Sequence, residues 1–82
     1  MNKAFGSKEL IKCLKKLGFT YLRESSSHQI YSPPSGKKNP GGRPLPVKVE
    51  VKSYDPNSRS RYISEIKMYG FTKEEINEAF RK

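Results

Sequence analysis

His28, the only histidine of the chain, is the side chain best suited to proton transfer. An imidazole titrates near neutral pH, so it can act as a general acid or a general base. RNA carries its own nucleophile, the 2′-hydroxyl beside each phosphate, and its cleavage needs proton transfer together with cations that stabilise charge on the phosphorane. A single histidine can equally be a structural or surface residue, and its type alone does not decide between these interpretations.

Other kinds of catalytic site find little support in the sequence. Cys13 is the only cysteine, which excludes an internal disulfide framework and a zinc site built from several thiolates. It falls on the apolar side of a predicted helix, where a small core residue is expected. Glu74, Glu75 and Glu78 belong to a predicted terminal helix and are expected to form a solvated face. We therefore expect neither a metal ion nor a cofactor.

The composition indicates a small, strongly basic protein. With 82 residues, the chain has room for one domain, residues 1–82, and a modest core. Seventeen Lys and Arg against eight Asp and Glu give a formal net charge of +9, which predicts a polyanionic partner. Nucleic acid, an anionic membrane surface or an acidic protein would each fit, and a basic surface kept for solubility is the alternative. No apolar run approaches the roughly 18 residues of a membrane span, and no signal peptide is evident, so we expect a cytoplasmic protein with no membrane partner.

An amphipathic helix and a hairpin should carry His28. Ser7 is predicted to cap the helix and Gly18 to end it, with apolar and basic residues on opposite sides. The apolar side holds Leu10, Cys13, Leu14 and Leu17, and the basic side holds Lys8, Lys12 and Lys15. Residues 19–23 and 28–32 then predict two strands joined by a polar break, which places His28 at the mouth of a hairpin.

A long loop and a third strand follow the hairpin. Residues 33–46 form a Pro- and Gly-rich basic loop, and loops of this length inside compact domains are often functional. An insertion without a role remains the alternative. Val47, Val49 and Val51 alternate with charged residues, which predicts the third strand. The basic residues of the loop and of this strand are candidates for RNA binding: Lys37, Lys38, Arg43 and Lys48.

Two helices are predicted to complete the fold. Residues 54–57 should form a turn, and Ser58 should cap a helix that Gly70 ends and that shares an apolar face. This face comprises Tyr62, Ile63, Ile66 and Tyr69. Thr72 and Glu75 have the spacing of a capping box, so residues 72–82 predict a short last helix with Ile76, Ala79 and Phe80 turned inward. The expected class is α+β, with an antiparallel three-stranded sheet, helices on one face and the other face open.

Two stretches of the chain resemble the HicA family of toxin ribonucleases. One is RESSSHQIY at residues 23–31, placed after a Lys-rich helix that ends Leu17-Gly18-Phe19. The other runs from Tyr62-Ile63 to Gly70-Phe71. The resemblance implies a fold like a double-stranded-RNA-binding domain, cleavage of mRNA by a histidine at the start of the second strand, and inhibition by a HicB-type antitoxin.

The same resemblance assigns roles to individual residues. It implies that His28 is the catalytic histidine, that Ser27 matches the serine before it, and that Arg23 matches a basic position five residues before it. Arg23 and Ser27 are therefore further candidates for RNA binding. Ser26 stands where the family has glycine, and serine adopts the positive φ of a tight turn less readily than glycine. The loop at residues 33–46 is longer than the connection typical of the family, so no functional residue is carried into it.

Three hypotheses follow from these features. The first is a toxin endoribonuclease that uses His28 as general acid or base and needs no metal ion. The second is a noncatalytic RNA-binding module in which the cationic first helix and the loop hold phosphates. The third is an interaction module whose charge serves only to meet an acidic protein.

Overall fold

The computed structural model describes residues 4–39 and 41–81, which form three helices and three strands. The elements are α1 (Ser7–Lys16), β1 (Thr20–Ser25), β2 (His28–Ser32), β3 (Leu45–Lys48), α2 (Pro56–Met68) and α3 (Lys73–Arg81). The predicted α+β class and the predicted element order are confirmed. Pro40 of the predicted loop and Lys82 of the predicted last helix lie outside the described residues, as do residues 1–3.

The three strands form an antiparallel sheet in the order β1-β2-β3. β1 is longer than predicted and begins one residue later, because Phe19 packs into the core rather than into the ladder. Between β1 and β2 the turn has only two residues, since Ser25 pairs with His28. Ser26 adopts a φ of 55° there, so a serine occupies a left-handed position that favours glycine.

The third strand differs from the prediction. It comprises Leu45–Lys48, so the alternation of Val47, Val49 and Val51 does not continue as a strand. Glu50 has a φ of 60°, which turns the chain out of the sheet. Val51 instead hydrogen-bonds to Ser7 at the start of α1, through both its N–H and its carbonyl oxygen.

Two of the predicted helix caps are also wrong. Ser7 is the first helical residue of α1, and Gly6 is the N-cap, with Glu9 accepting a hydrogen bond from the Gly6 N–H at 2.9 Å. Asp55 rather than Ser58 caps α2, because its carboxylate accepts the Ser58 N–H. Gly18 and Gly70 have positive φ just beyond α1 and α2, as predicted.

The capping box of the last helix is confirmed. The Thr72 N–H donates to the Glu75 carboxylate at 2.8 Å, and the Glu75 N–H donates to the Thr72 hydroxyl at 3.1 Å. Ile76 and Ala79 are buried, and Phe80 packs at 4.7 Å from the Phe5 ring. Within residues 4–39 and 41–81, no helix has both the length and the apolar character needed to cross a membrane.

The hydrophobic core lies between the helices and one face of the sheet. Its members from the strands are Tyr31, Leu45 and Val47, and those from the helices include Leu10, Leu14, Tyr62, Ile66 and Ile76. Cys13 is fully buried, as its position on the apolar side of α1 predicts. In β3, buried Leu45 and Val47 alternate with exposed Pro46 and Lys48, so the latter pair points away from the core. His28, which pairs with Lys48, shares this outer face.

Candidate functional site

His28 lies in the middle of a row of three residues that crosses the sheet. It begins β2, and its Cα partners are Ser25 on β1 and Lys48 on β3. Side chains that lie directly opposite in antiparallel strands have Cβ atoms about 5 Å apart and point to the same face. The imidazole is half-buried and makes no hydrogen bond to any residue in the described part of the chain. A phosphate that reaches His28 can therefore also reach the Lys48 ammonium.

A cleft of about 300 Å³ opens beside this row, between the outer face of the sheet and α2. Its walls come from strands β2 and β3, from Tyr54 and from helix α2. The lining residues are His28, Pro46, Lys48, Tyr54, Ser58, Arg61, Tyr62 and Glu65. Two of them are cations from different elements, Lys48 on β3 and Arg61 on α2, and Arg61 is exposed. The cleft thus combines two positive charges with the only histidine of the sequence.

Two tyrosine hydroxyls hold the cleft walls together. The Lys48 N–H donates to the Tyr62 hydroxyl at 3.0 Å, and the Tyr54 hydroxyl donates to the Lys48 carbonyl oxygen. Burial, followed by the nearby Tyr62 hydroxyl, raises the pKa of Tyr54, so this donor keeps its proton at neutral pH. Arg59 donates to the Tyr54 carbonyl oxygen at 3.0 Å. These bonds attach α2 to the edge of the sheet and fix the position of Lys48.

A second cavity, of about 470 Å³, adjoins the cleft and shares Pro46 and Glu65 with it. It lies over the next row of the sheet, in which Arg23, Ile30 and Pro46 are aligned. Arg43 from the long loop also lines it. The structure thus brings Arg23 and Arg43 to one cavity, which adjoins the cleft that contains His28.

The remaining predicted RNA-binding residues lie elsewhere. The Lys37 ammonium donates to the Gly70 carbonyl oxygen at 3.0 Å and sits 4.8 Å from the centre of the Phe71 ring. Lys38 is exposed and lines a third cavity, together with Lys37, on the loop itself. Ser27 is exposed in the hairpin turn and lines neither the cleft nor the second cavity.

Sequence reasoning missed the contribution of α2 to the site. Ser58, Arg61 and Glu65 line the cleft and are spaced three and four residues apart, which places them on one side of a helix. The signal was present in the sequence as a polar stripe beside the apolar face of the predicted helix. Nothing local indicated that this stripe would lie against β3.

Cys13 and the glutamates of the last helix, Glu74, Glu75 and Glu78, do not line the cleft. Within the described ranges 4–39 and 41–81, no three His, Cys, Asp or Glu side chains lie close enough together to share a metal ion. Burial raises the pKa of the Cys13 thiol to about 12. The thiol is therefore protonated in the core, as a structural cysteine should be.

Comparison with models of protein families identifies the part of the chain that contains the sheet. A family model described as the HicA toxin of bacterial toxin–antitoxin systems matches residues 7–54, more than half of the chain. This stretch contains α1, the whole sheet, His28 and Lys48. No curated protein and no solved structure matches the chain significantly. The chain belongs to the HicA family of toxins of bacterial toxin–antitoxin systems.

Proposed function

We propose that this protein is an endoribonuclease that cleaves mRNA, with His28 as general acid or base and without a metal ion, and that a cognate HicB-type antitoxin inhibits it. The observation that carries the proposal is the pairing of His28 with Lys48 across β2 and β3, at a cleft that also contains Arg61. Membership of a toxin family supports it, because a toxin needs a damaging activity that its antitoxin can switch off.

The proposed reaction is a transesterification within the RNA. The 2′-hydroxyl loses its proton and its oxygen attacks the adjacent phosphorus, the bond to the 5′-oxygen breaks, and that oxygen takes up a proton. The products are a 2′,3′-cyclic phosphate and a 5′-hydroxyl. His28 exchanges a proton with the reacting oxygens, while Lys48 and Arg61 stabilise the negative charge of the phosphorane.

The test is cleavage of RNA by the purified protein in the presence of EDTA. RNA should be cut and DNA of the same sequence should remain intact, because DNA lacks the 2′-hydroxyl. His28→Ala should abolish cutting while its circular dichroism spectrum stays that of the wild type. Cleavage at the wild-type rate by His28→Ala would exclude the proposed role of the histidine.

A pair of lysine variants tests where phosphate binds. Lys48→Ala should lower the cleavage rate by about 100-fold, the scale for removing one group that stabilises a transition-state charge. Lys12→Ala removes the same charge from an exposed position on α1, outside the cleft, and should change the rate less than threefold. Equal losses in the two variants would contradict the assignment of the cleft.

A noncatalytic RNA-binding module is the second candidate function. It is favoured by one observation, that the four lysines of α1 after its start are all exposed: Lys8, Lys12, Lys15 and Lys16. It predicts RNA binding without cutting, and a loss of affinity in Lys12→Ala that exceeds the loss in Lys48→Ala. The logarithm of the affinity should fall with the logarithm of salt concentration by about 0.7 to 0.9 per phosphate bound. Capture of an acidic protein with no retention of RNA would instead support a pure interaction module.

A further inference from the structure

The second cavity has an apolar floor that faces away from the core. Ile30 points to the outer face of the sheet, yet it is only 8% exposed, and Pro46 and Met68 lie beside it. Met68 is 54% exposed although it is a large apolar side chain. Apolar side chains of this kind can pack against the face of a nucleobase.

Two arginines line this cavity. Arg23 is the direct neighbour of Ile30 on β1. Arg43 is held by the loop, because its N–H and its carbonyl oxygen both bond to the Asn39 side chain, at 2.9 and 3.2 Å. The Tyr69 hydroxyl also donates to the Arg43 carbonyl oxygen at 2.8 Å. A nucleotide seated on the floor would thus have two cations available for its phosphates.

A site that binds only phosphate does not explain why the Glu65 carboxylate lines this cavity. Glu65 is half-buried on α2 and lines both the cleft and the second cavity. Across residues 4–39 and 41–81 the one ion pair joins Arg81 to Glu78, so no salt bridge neutralises Glu65 within these ranges. Burial, followed by the nearby Glu65 carboxylate, raises the pKa of the Tyr69 hydroxyl to about 12, and Arg43 acts to lower this pKa. A carboxylate repels phosphates, but it accepts hydrogen bonds from the amino groups of bases.

We propose that the second cavity is a nucleobase subsite in which Glu65 selects a base with an exocyclic amino group. The base stacks on Ile30, Pro46 and Met68, and Glu65 accepts a hydrogen bond from its amino group. Cytosine offers an N4 amino donor, whereas uracil presents the O4 acceptor at the same place and meets the carboxylate unfavourably. The inference rests on the proposed function for placing the scissile phosphate at His28, but base binding can be measured without cleavage.

The experiment uses the full chain with His28→Ala, which keeps the RNA intact during measurement. Fluorescence anisotropy gives the affinities for the tetranucleotides rCCCC and rUUUU, which differ in the group at C4 and in protonation at N3. We expect rCCCC to bind about tenfold more tightly. Adding Glu65→Gln should reduce this ratio to below about threefold, because the amide can donate to uracil O4 as well as accept from cytosine N4. Glu74→Gln on α3 removes the same charge away from the subsite and should leave the ratio unchanged.

Three results would overturn the subsite: equal affinities for the two oligonucleotides, a ratio that Glu65→Gln leaves intact, or an equal change in the Glu74→Gln control. These results are distinguishable from failure of the proposed function. If the wild type does not cleave RNA but the Glu65-dependent ratio is found, the subsite stands and the ribonuclease proposal fails. If the wild type cleaves in a His28-dependent way and the ratio is absent, the opposite holds.

Discussion

Replacing Gly6 by alanine should destabilise the protein because the added methyl group has no room, and not because of the backbone conformation. Gly6 has φ −113° and ψ −166°, an extended conformation that alanine adopts freely, so the backbone carries no intrinsic strain. However, an added Cβ would lie 2.1 Å from the Lys52 carbonyl oxygen and 2.4 Å from that of Val51. Ordinary contact begins near 3.4 Å, so the segment after β3 has to retreat by about 1 Å.

The cost follows from the hydrogen bonds that this retreat breaks. Three hydrogen bonds join Ser7 and Val51. The Ser7 N–H donates to the Val51 carbonyl oxygen at 2.8 Å, and the Ser7 hydroxyl donates to the same oxygen at 3.1 Å. The Val51 N–H donates to the Ser7 hydroxyl at 3.1 Å. At about 1 kcal/mol each, their loss removes about 3 kcal/mol. A chain of 82 residues has a free energy of unfolding of about 4 to 12 kcal/mol, so the loss is a large fraction of the total.

Urea unfolding followed by circular dichroism measures this change. Gly6→Ala should lower the midpoint while the slope m stays constant, because the surface exposed on unfolding is the same. Gly36→Ala is the control: its φ of 86° is unfavourable for alanine, but nothing lies within 4 Å of the added Cβ. Its loss should be about 1 kcal/mol. A loss for Gly6→Ala no larger than the control would refute the steric reasoning.

Three further predictions concern the site walls, the helix caps and the core thiol. Tyr62→Phe should cost about 1 kcal/mol in urea unfolding, because the Lys48 N–H loses its acceptor, and a loss no greater than that of exposed Tyr21→Phe would contradict this role. Backbone hydrogen bonds lower the pKa values of Glu9 and Glu75 below 4.5. The stability that these two carboxylates contribute is therefore complete above pH 4.5 and is lost as the pH falls through the lowered pKa values. In the double variant Glu9→Gln/Glu75→Gln, the urea midpoint should therefore decline less steeply below pH 4.5 than in the wild type. A decline as steep as that of the wild type would contradict the contribution of these capping carboxylates. The Cys13 thiol, whose pKa burial raises to about 12, should resist iodoacetamide at pH 8 until urea unfolds the chain, and rapid labelling of the native protein would show that it is accessible.

Local sequence patterns were enough for most of the fold. Glycines with positive φ end α1 and α2, the Thr72–Glu75 capping box starts α3, and the apolar periodicity of the helices matches the buried residues. These features depend on contacts within a few residues along the chain, and short-range chemistry therefore predicts them. The same holds for His28, since a polar break between two strand-forming segments already places it at the mouth of a hairpin, although the turn proves to be two residues long.

Two of the errors, at the third strand and at the cap of α1, arose where a distant segment competed for the same groups. Val49 and Val51 have the alternation of a strand, but Glu50 turns the chain out and Ser7, 44 residues away, takes the hydrogen bonds of Val51. Ser7 has the chemistry of an N-cap, and its hydroxyl is engaged by that same segment instead. A helical or strand period carries no information on such partners.

The residue types therefore settled that this is a basic α+β protein with one histidine at a hairpin, because composition and short-range periodicity are properties of the chain itself. Packing alone decided what surrounds that histidine. Arg61 and Glu65 reach the cleft because the Tyr54 and Tyr62 hydroxyls bond the backbone of Lys48 and attach α2 to the sheet edge. The long loop supplies Arg43 because Tyr69 holds its carbonyl oxygen. The Tyr62–Lys48 and Tyr69–Arg43 contacts join residues 14 and 26 positions apart in sequence, so only the folded chain brings them together.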